Sequence, residues 1–202
     1  MAESILPVAS LRISSSSSSS SSSSADSSSF HTAHEPSGVH RYLIISNISK
    51  WPNIRALCIT AAAFGFRVLF ASQQLSEELQ ESQLASLVER GFRYGIFSSL
   101  IEVKQFLVEK SVPLVGIEIM DSAISMREFP YTCSDYRIAF MPGNEGHGLN
   151  EKQKAYCDQF VYIPQFGIGT ASLNVNVATS IILHHFICTA PKPQTLSASE
   201  GV

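Results

Sequence analysis

Apolar runs of strand length alternate with helical segments along the chain from about residue 40 onward. The apolar runs lie at 41–46, 67–71, 94–97, 114–119, 138–140 and 161–163, and the helical segments between and after them lie at 54–64, 76–91, 99–110 and 172–187. Short continuous apolar runs are typical of strands that are buried on both faces of a parallel sheet. Alternation of such strands with helices therefore predicts an α/β fold, a parallel sheet with helices on both faces.

Residues that favour helix ends flank several of these segments. Asn53 is a candidate N-cap of the first helix, and Gly65 is placed to end it. The run from Ser99 to Glu102 has the pattern of a capping box. Thr170 or Ser172 can cap the last helix. These residues predict where three of the helices begin.

The first 38 residues differ in composition from the rest of the chain. They are rich in serine, with an unbroken serine run from Ser14 to Ser24. Such sequence contains too little apolar surface to form a core, so we expect a disordered tail at 1–38. A folded domain is expected at 39–188 and a loose tail at 189–202. Arg12 stands alone and Glu3 comes early, so we expect a cytoplasmic or nuclear location, with an organellar address signal as the alternative.

Composition limits the class of protein further. The chain has 202 residues, 45% of them hydrophobic, which suits one ordinary globular domain. The net charge of −3 does not by itself indicate nucleic-acid binding. The four cysteines have neither zinc-site nor disulfide-framework spacing, so we expect reduced thiols and no metal. Apolar runs are too short for a membrane span, so no membrane partner is expected.

The most informative chemistry lies between residues 138 and 186. A glycine-rich loop, 141–149, follows an apolar strand directly. Pro164 ends the next strand, and polar residues open the last helix near Ser172. Glycine lets a backbone approach a ligand closely, and loops at strand ends of an α/β sheet form ligand sites. The pattern thus predicts a ligand cradle.

This stretch resembles the second and third motifs of the SpoU/TrmH family of RNA 2′-O-ribose methyltransferases, in the SPOUT superfamily. The family loop G-x-E-x-x-G-L is matched by Gly143, Glu145, Gly148 and Leu149. The later motif I-P…S-L-N-x-x-x-A is matched by Ile163, Pro164, Ser172, Leu173, Asn174 and Ala178. Two spaced motifs in the right order are more specific than one glycine loop.

The resemblance implies a SPOUT-type fold with a C-terminal trefoil knot, S-adenosylmethionine as cofactor, tRNA or rRNA as substrate, and a homodimer. The reaction it implies is methyl transfer to a ribose 2′-hydroxyl. The cofactor-binding positions it implies are Met141, Gly143, Gly148, Ile163 and Leu173. The catalytic or substrate-positioning residues are expected to be Asn53, Arg55, Glu145, Ser172 and Asn174. Glu145, Ser172 and Asn174 also have structural alternatives, as a loop carboxylate, a helix cap and a first-turn polar residue.

The family's first motif, N-x-G-x-x-x-R-x-A-x-x-F-G, is matched in part over residues 53–65. Arg55 occupies a glycine position, and Ile59 occupies the position of the arginine to which the family assigns the central catalytic role. Arg55 lies one helical turn from Ile59, so its guanidinium could reach the same place. The alternative is a catalytically impaired SPOUT-fold protein that binds RNA or a protein partner. An unrelated nucleotide-binding α/β protein is the third hypothesis, but the chain has no G-x-G-x-x-G motif.

Overall fold

The computed structural model describes residues 40–71, 87–89, 92–131, 137–144, 146–167 and 172–190. In these ranges the strands are β1 (Arg41–Ile45), β2 (Arg67–Ala71), β3 (Tyr94–Phe97), β4 (Leu114–Ile117), β5 (Ile124–Ser125), β6 (Ile138–Pro142) and β7 (Gln159–Tyr162). The helices are α1 (Trp51–Ala63), α2 (Leu100–Glu109), α3 (Glu151–Tyr156) and α4 (Val175–Thr189). Of the helix expected at 76–91, residues 87–89 are helical, and the rest lies outside the described ranges.

The seven described strands form one sheet in the order β3-β2-β1-β6-β4-β7-β5. Every neighbouring pair of these strands is parallel. Parallel neighbours require crossover connections, and α1 supplies the one between β1 and β2. The predicted α/β architecture is therefore confirmed.

Alternate side chains of the strands enter two separate cores, one on each face of the sheet. In β1, Leu43 and Ile45 pack on the face covered by α1 and α4, while Tyr42 and Ile44 pack on the face covered by α2 and α3. All four side chains are fully buried. Burial of each such side chain stabilises the fold by about 1.5–3 kcal/mol. Two buried faces explain why β1 is a continuous apolar run.

The first helix begins earlier than its sequence suggested. Helix α1 starts at Trp51, its N-cap is Lys50, and Pro52 lies in its first turn. The prediction that Asn53 caps this helix is wrong. The fixed φ of proline favours the first helical turn, so the helix begins two residues before Asn53. At the other end, Gly65 has φ +69°, the left-handed conformation that ends a helix.

The last helix begins later than expected. The Asn174 side chain accepts hydrogen bonds from Asn176 N at 2.9 Å and Val177 N at 3.4 Å, so Asn174 is the N-cap of α4. The prediction of a cap at Thr170 or Ser172 is wrong, because an asparagine two residues beyond Ser172 caps the helix instead.

Short elements were not anticipated from the apolar pattern. Helix α3 has a complete capping box, in which the side chains of Asn150 and Gln153 each accept a hydrogen bond from the other's backbone N–H at 2.9 Å.

The capping box expected at α2 is only half present. Ser99 Oγ accepts from Glu102 N at 3.4 Å, but the Glu102 carboxylate accepts from Ser98 N at 3.0 Å.

Strand β7 lies between β4 and β5, which follow each other along the chain. The chain that leaves β4 therefore passes beyond β7 before it returns to form β6 beside β1. Whether the C-terminal segment threads through that connection is not given by strand order, so the trefoil knot stays a prediction. Among the helices of the described residues, none has the length and apolar character needed to cross a membrane.

Candidate active site

A cleft of about 220 Å³ opens at the carboxyl ends of three neighbouring strands, β6, β4 and β7. Its lining includes the last residue of each strand and the residue after it. These are Ile117 and Glu118 at β4, Pro142 and Gly143 at β6, and Tyr162 and Ile163 at β7. The segment from Ser172 to Ala178, which opens α4, forms another wall. Ligands of open parallel sheets bind at this edge, where the strands end and the loops are free to vary. The cleft therefore lies where a sheet of this kind places its ligand.

The glycine-rich loop is held in a tight, closed form. Asn144 and Gly148 exchange two backbone hydrogen bonds, at 3.0 and 2.9 Å, and Gly146 N donates to Asn144 Oδ1 at 2.9 Å. Gly148 has φ +65°, a conformation that L side chains rarely adopt. Asn144 Nδ2 also donates to the Asn47 carbonyl at 2.8 Å, which ties this loop to the end of β1. The described part of the loop thus presents backbone groups and the short Asn144 side chain to the cleft.

Glu118, the residue after β4, supports this loop from below. Its Oε2 accepts a hydrogen bond from Leu149 N at 2.6 Å, and its Oε1 accepts one from Ile119 N at 3.2 Å. A Cβ added at Gly143 would lie 2.7 Å from Glu118 Oε2, and one added at Gly148 would overlap that carboxylate. Sequence reasoning missed Glu118, because Leu149 lies 31 residues away and no local pattern joins them.

The walls of the cleft combine apolar side chains with a few polar groups. The apolar part comes from residues that include Ile117, Ile163, Leu173 and Val175, and the polar part from Asn144, Gln165, Ser172 and Tyr162. A cleft that combines apolar walls with several polar groups suits a small organic ligand. Such walls can sandwich a flat base while backbone groups bond its edges.

The expected cofactor-binding residues divide into two groups in the structure. Gly143, Gly148, Ile163 and Leu173 all line the cleft. Met141 does not belong to the lining, because its side chain points to the opposite face of the sheet and is buried in the core beneath α2 and α3.

Of the five expected catalytic residues, one lines the cleft. Ser172 lines the cleft directly. Asn174, two residues further on, donates from Nδ2 to Asn53 Oδ1 at 3.4 Å, so these two motif asparagines meet where α1 and α4 begin. Arg55 is exposed on α1 and does not belong to the lining. Glu145 lies outside the described residues.

Ile59, which occupies the position of the family arginine, lies on α1 with its side chain 40% exposed. Next to it, Thr60 is buried and donates to Asn176 Oδ1 of α4 at 2.9 Å. Thr60 Oγ1 also lies 3.1 Å from Ser180 Oγ. These polar contacts fix α1 against α4 and leave Ile59 on the outer side of the helix pair.

The described residues offer no cluster of metal-ligating side chains near the site. In the described part of the chain, no cluster of three or more histidine, cysteine, aspartate or glutamate residues could hold a metal ion. Cys58, Cys157 and Cys188 are free thiols. Burial raises the pKa of Cys58 and that of Cys157 to about 12, so both thiols stay neutral at physiological pH. A neutral thiol is a poor metal ligand and nucleophile.

Comparison with known proteins assigns the family. Residues 40–184 match the model of the SpoU rRNA Methylase family, and the chain belongs to this family. The matched range includes every described strand of the sheet, the glycine-rich loop and the segment from Ser172 to Ala178 that opens α4.

Two curated relatives illustrate the similarity. One is the 23S rRNA (guanosine-2′-O-)-methyltransferase RlmB of Neisseria meningitidis, 28% identical over 144 residues, which are 70% of this chain and 55% of the relative. Another is the tRNA (guanosine(18)-2′-O)-methyltransferase of Escherichia coli, 24% identical over 140 residues, 69% of this chain and 59% of the relative. The chain thus spans a little over half the length of these relatives.

Solved structures agree on the fold. The SpoU methyltransferase AviRb of Streptomyces viridochromogenes, in complex with AdoMet, matches with a TM-score of 0.62 and 19% identity, over 75% of this chain and 60% of that one. The A. aeolicus TrmH/SpoU tRNA modifying enzyme matches with a TM-score of 0.60 and 20% identity, over 75% and 74%. The parallel sheet described above is thus the fold of SpoU methyltransferases.

Proposed function

We propose that this protein transfers a methyl group from S-adenosylmethionine to the 2′-hydroxyl of a ribose in tRNA or rRNA. The observation that carries the proposal is the cleft itself. Its walls come from the glycine-rich loop, the end of β7 and the segment before α4, which are the segments that hold the matched family motifs. Relatives named as guanosine 2′-O-methyltransferases of 23S rRNA and tRNA support this class of substrate.

The residues of the cleft fit such a cofactor. Ile117, Ile163 and Leu173 offer apolar surface for an adenine ring, and the backbone of Gly143 and Gly148 is accessible at the lining. When bound, S-adenosylmethionine supplies an electrophilic methyl group on a sulfonium. The protein's own contribution is to hold the cofactor and the ribose in reactive geometry, which can account for much of the rate enhancement.

The first test is cofactor binding by calorimetry with S-adenosylmethionine and S-adenosylhomocysteine. Gly143→Val should weaken binding of both at least about tenfold, because its side chain would meet Glu118 and the Gly148 backbone. Gly167→Val is the matched control, since a Cβ at Gly167 meets nothing within 4 Å. Folded wild-type protein that binds neither molecule would contradict the proposed function.

An aromatic side chain near the cleft supports RNA as the partner. Phe166 follows the cleft residue Gln165 and is 79% exposed, and the guanidinium carbon of Arg127 lies 5.5 Å from the centroid of its ring. Exposed aromatic rings and arginine planes bind unstacked RNA bases, with about 1–3 kcal/mol per stacked base. We infer that Phe166 stacks on a base beside the target nucleotide.

Phe166→Leu tests this inference, because it keeps apolar bulk and removes the ring. We expect RNA affinity in a gel-shift titration to fall about tenfold, with cofactor affinity unchanged. Val108→Ala is the control, since Val108 is 63% exposed on α2, on the other face of the sheet. Equal RNA affinity of Phe166→Leu and wild type would exclude the stacking role.

The second candidate function is that of a non-catalytic binding protein, and the isoleucine at position 59 favours it. Isoleucine cannot supply the charge or the hydrogen bonds of the arginine that it replaces. In that case the protein binds RNA or a protein partner through the same fold. Arg55, exposed and one turn away on α1, is the group that could restore activity.

We also propose a homodimer formed through the outer side of α1 and α4. Ile59 and Val177 are 40% and 45% exposed on these two helices, next to the Thr60–Asn176 hydrogen bond that joins them. Ala62 and Ala63 extend the same exposed surface along α1. Large apolar side chains grouped on one surface are typical of an interface between subunits.

A further inference from the structure

Glu118 contributes a carboxylate to the lining of the cleft. Among the described residues that line the cleft, it is the sole acidic or basic one. It is half-buried at the end of β4, and its own backbone N–H donates to the Val161 carbonyl at 3.1 Å, which fixes it against β7. A charged group in such a position needs hydrogen-bond donors.

The donors come from the backbone on two sides. Leu149 N, directly after the glycine-rich loop, donates to Oε2 at 2.6 Å, and Ile119 N donates to Oε1 at 3.2 Å. Hydrogen bonds to an ionised acceptor are shorter and stronger than those between neutral groups. The carboxylate therefore connects the end of β4 to the end of the loop that follows β6.

The same carboxylate fills the space where side chains at the two motif glycines would stand. The three atoms nearest to a Cβ at Gly148 all belong to Glu118, and Oε2 is also the atom nearest to a Cβ at Gly143. Close approach of a ligand is thus not the only reason for glycine at these positions. The loop backbone lies directly on the Glu118 side chain.

We propose that Glu118 is a positioning residue, which sets cofactor affinity by holding the glycine-rich loop in its binding form through Gly148 and Leu149. The proposal rests on the proposed function, because it names a further determinant of the same cofactor site. Glu118 acts through the loop backbone, so its loss affects every ligand that uses the loop. It also accounts for glycine at 148 by contact with a residue 30 positions earlier in the chain.

A double-mutant cycle tests the connection. Glu118→Ala and Gly148→Ala should each weaken S-adenosylmethionine binding about tenfold, the first by freeing the loop and the second by overlap with the carboxylate and backbone strain. The double variant should bind within about threefold of the weaker single variant, because its added methyl group no longer meets Glu118. Losses that multiply independently would overturn the proposal.

A second readout separates action through the loop from direct contact with the cofactor's charge. Glu118→Ala should weaken the binding of S-adenosylmethionine and of S-adenosylhomocysteine by the same factor. S-adenosylhomocysteine is the product of methyl transfer, and its sulfur carries no charge. A loss confined to S-adenosylmethionine would show direct attraction of the sulfonium instead, and would overturn the positioning role. Glu109→Ala is the matched control, since Glu109 is exposed at the end of α2 and should leave both affinities unchanged.

Glu118→Gln keeps the test decisive if the alanine variant does not fold. Its amide oxygen can still accept from Leu149 N, so affinity for both molecules should fall less than in Glu118→Ala or stay near wild type. Hydrogen exchange of the Leu149 amide should speed up in step with the loss of affinity, and exchange unrelated to affinity would overturn the proposal. Wild-type protein that binds neither molecule would overturn the proposed function as well, whereas multiplicative losses overturn the positioning role alone.

Discussion

Buried thiols show how single residues of this chain respond to their surroundings. Cys58 lies fully buried on α1, and burial raises its pKa from an ordinary 9.0 to about 12. In the unfolded chain the same thiol ionises near its ordinary pKa. The folded state therefore keeps a proton that the unfolded state releases as the pH rises above 9.

This difference predicts a pH dependence of stability. The contribution of Cys58 is fully present below pH 9 and is lost as the pH rises toward 12, by roughly 1.4 kcal/mol for each pH unit in that window. Urea unfolding at about pH 7 and about pH 10 measures it. Cys58→Ala should lose less stability over this interval than wild type, although it starts lower because of the cavity. An identical pH slope for the two proteins would contradict the assigned pKa.

At this scale the sequence identified residues by motif but could not identify contacts between distant residues. Gly143, Gly148, Ile163 and Leu173 were named from the motifs and line the cleft, whereas Met141 does not. Glu118 gave no local signal, because its role depends on contact with a loop about 30 residues further on. The placement of Asn53 beside Asn174 likewise depends on how α1 and α4 pack.

Elements with long apolar runs were the ones that the sequence pattern could locate. Six of the strands fall where continuous apolar runs stand, because burial on both faces leaves a strong compositional signal. Strand β5 has two residues and helix α3 has six, which is too short for any periodicity to appear. For α3, the residues Asn150 and Gln153 at capping-box spacing were the available signal.

The pair of helices α1 and α4 carries the prediction about assembly. Val177→Asp places a charge on the exposed apolar side of this pair, and a charge buried in an interface without a partner is strongly unfavourable. We expect wild-type protein to be dimeric by light scattering at micromolar concentration and Val177→Asp to be mostly monomeric. Val108→Asp, on α2, is the matched control and should remain dimeric. Monomeric wild-type protein would exclude this interface.

The whole molecule combines a SpoU-family domain with flanking sequence of a different kind. The family match covers residues 40–184, and the serine-rich residues 1–38 precede it. The matched region covers 55% and 59% of the lengths of the two relatives described above.

The central claim is that this domain methylates a ribose 2′-hydroxyl of RNA although isoleucine replaces the family arginine. Its most direct test is transfer of a labelled methyl group from S-adenosylmethionine to total RNA of the source cells, followed by nucleoside mapping, with wild type, Ile59→Arg and Arg55→Ala in parallel. We predict label on a ribose 2′-oxygen with wild type and loss of transfer in Arg55→Ala at unchanged cofactor affinity. Label on a base, or no transfer by either wild type or Ile59→Arg while both bind the cofactor, would contradict the claim.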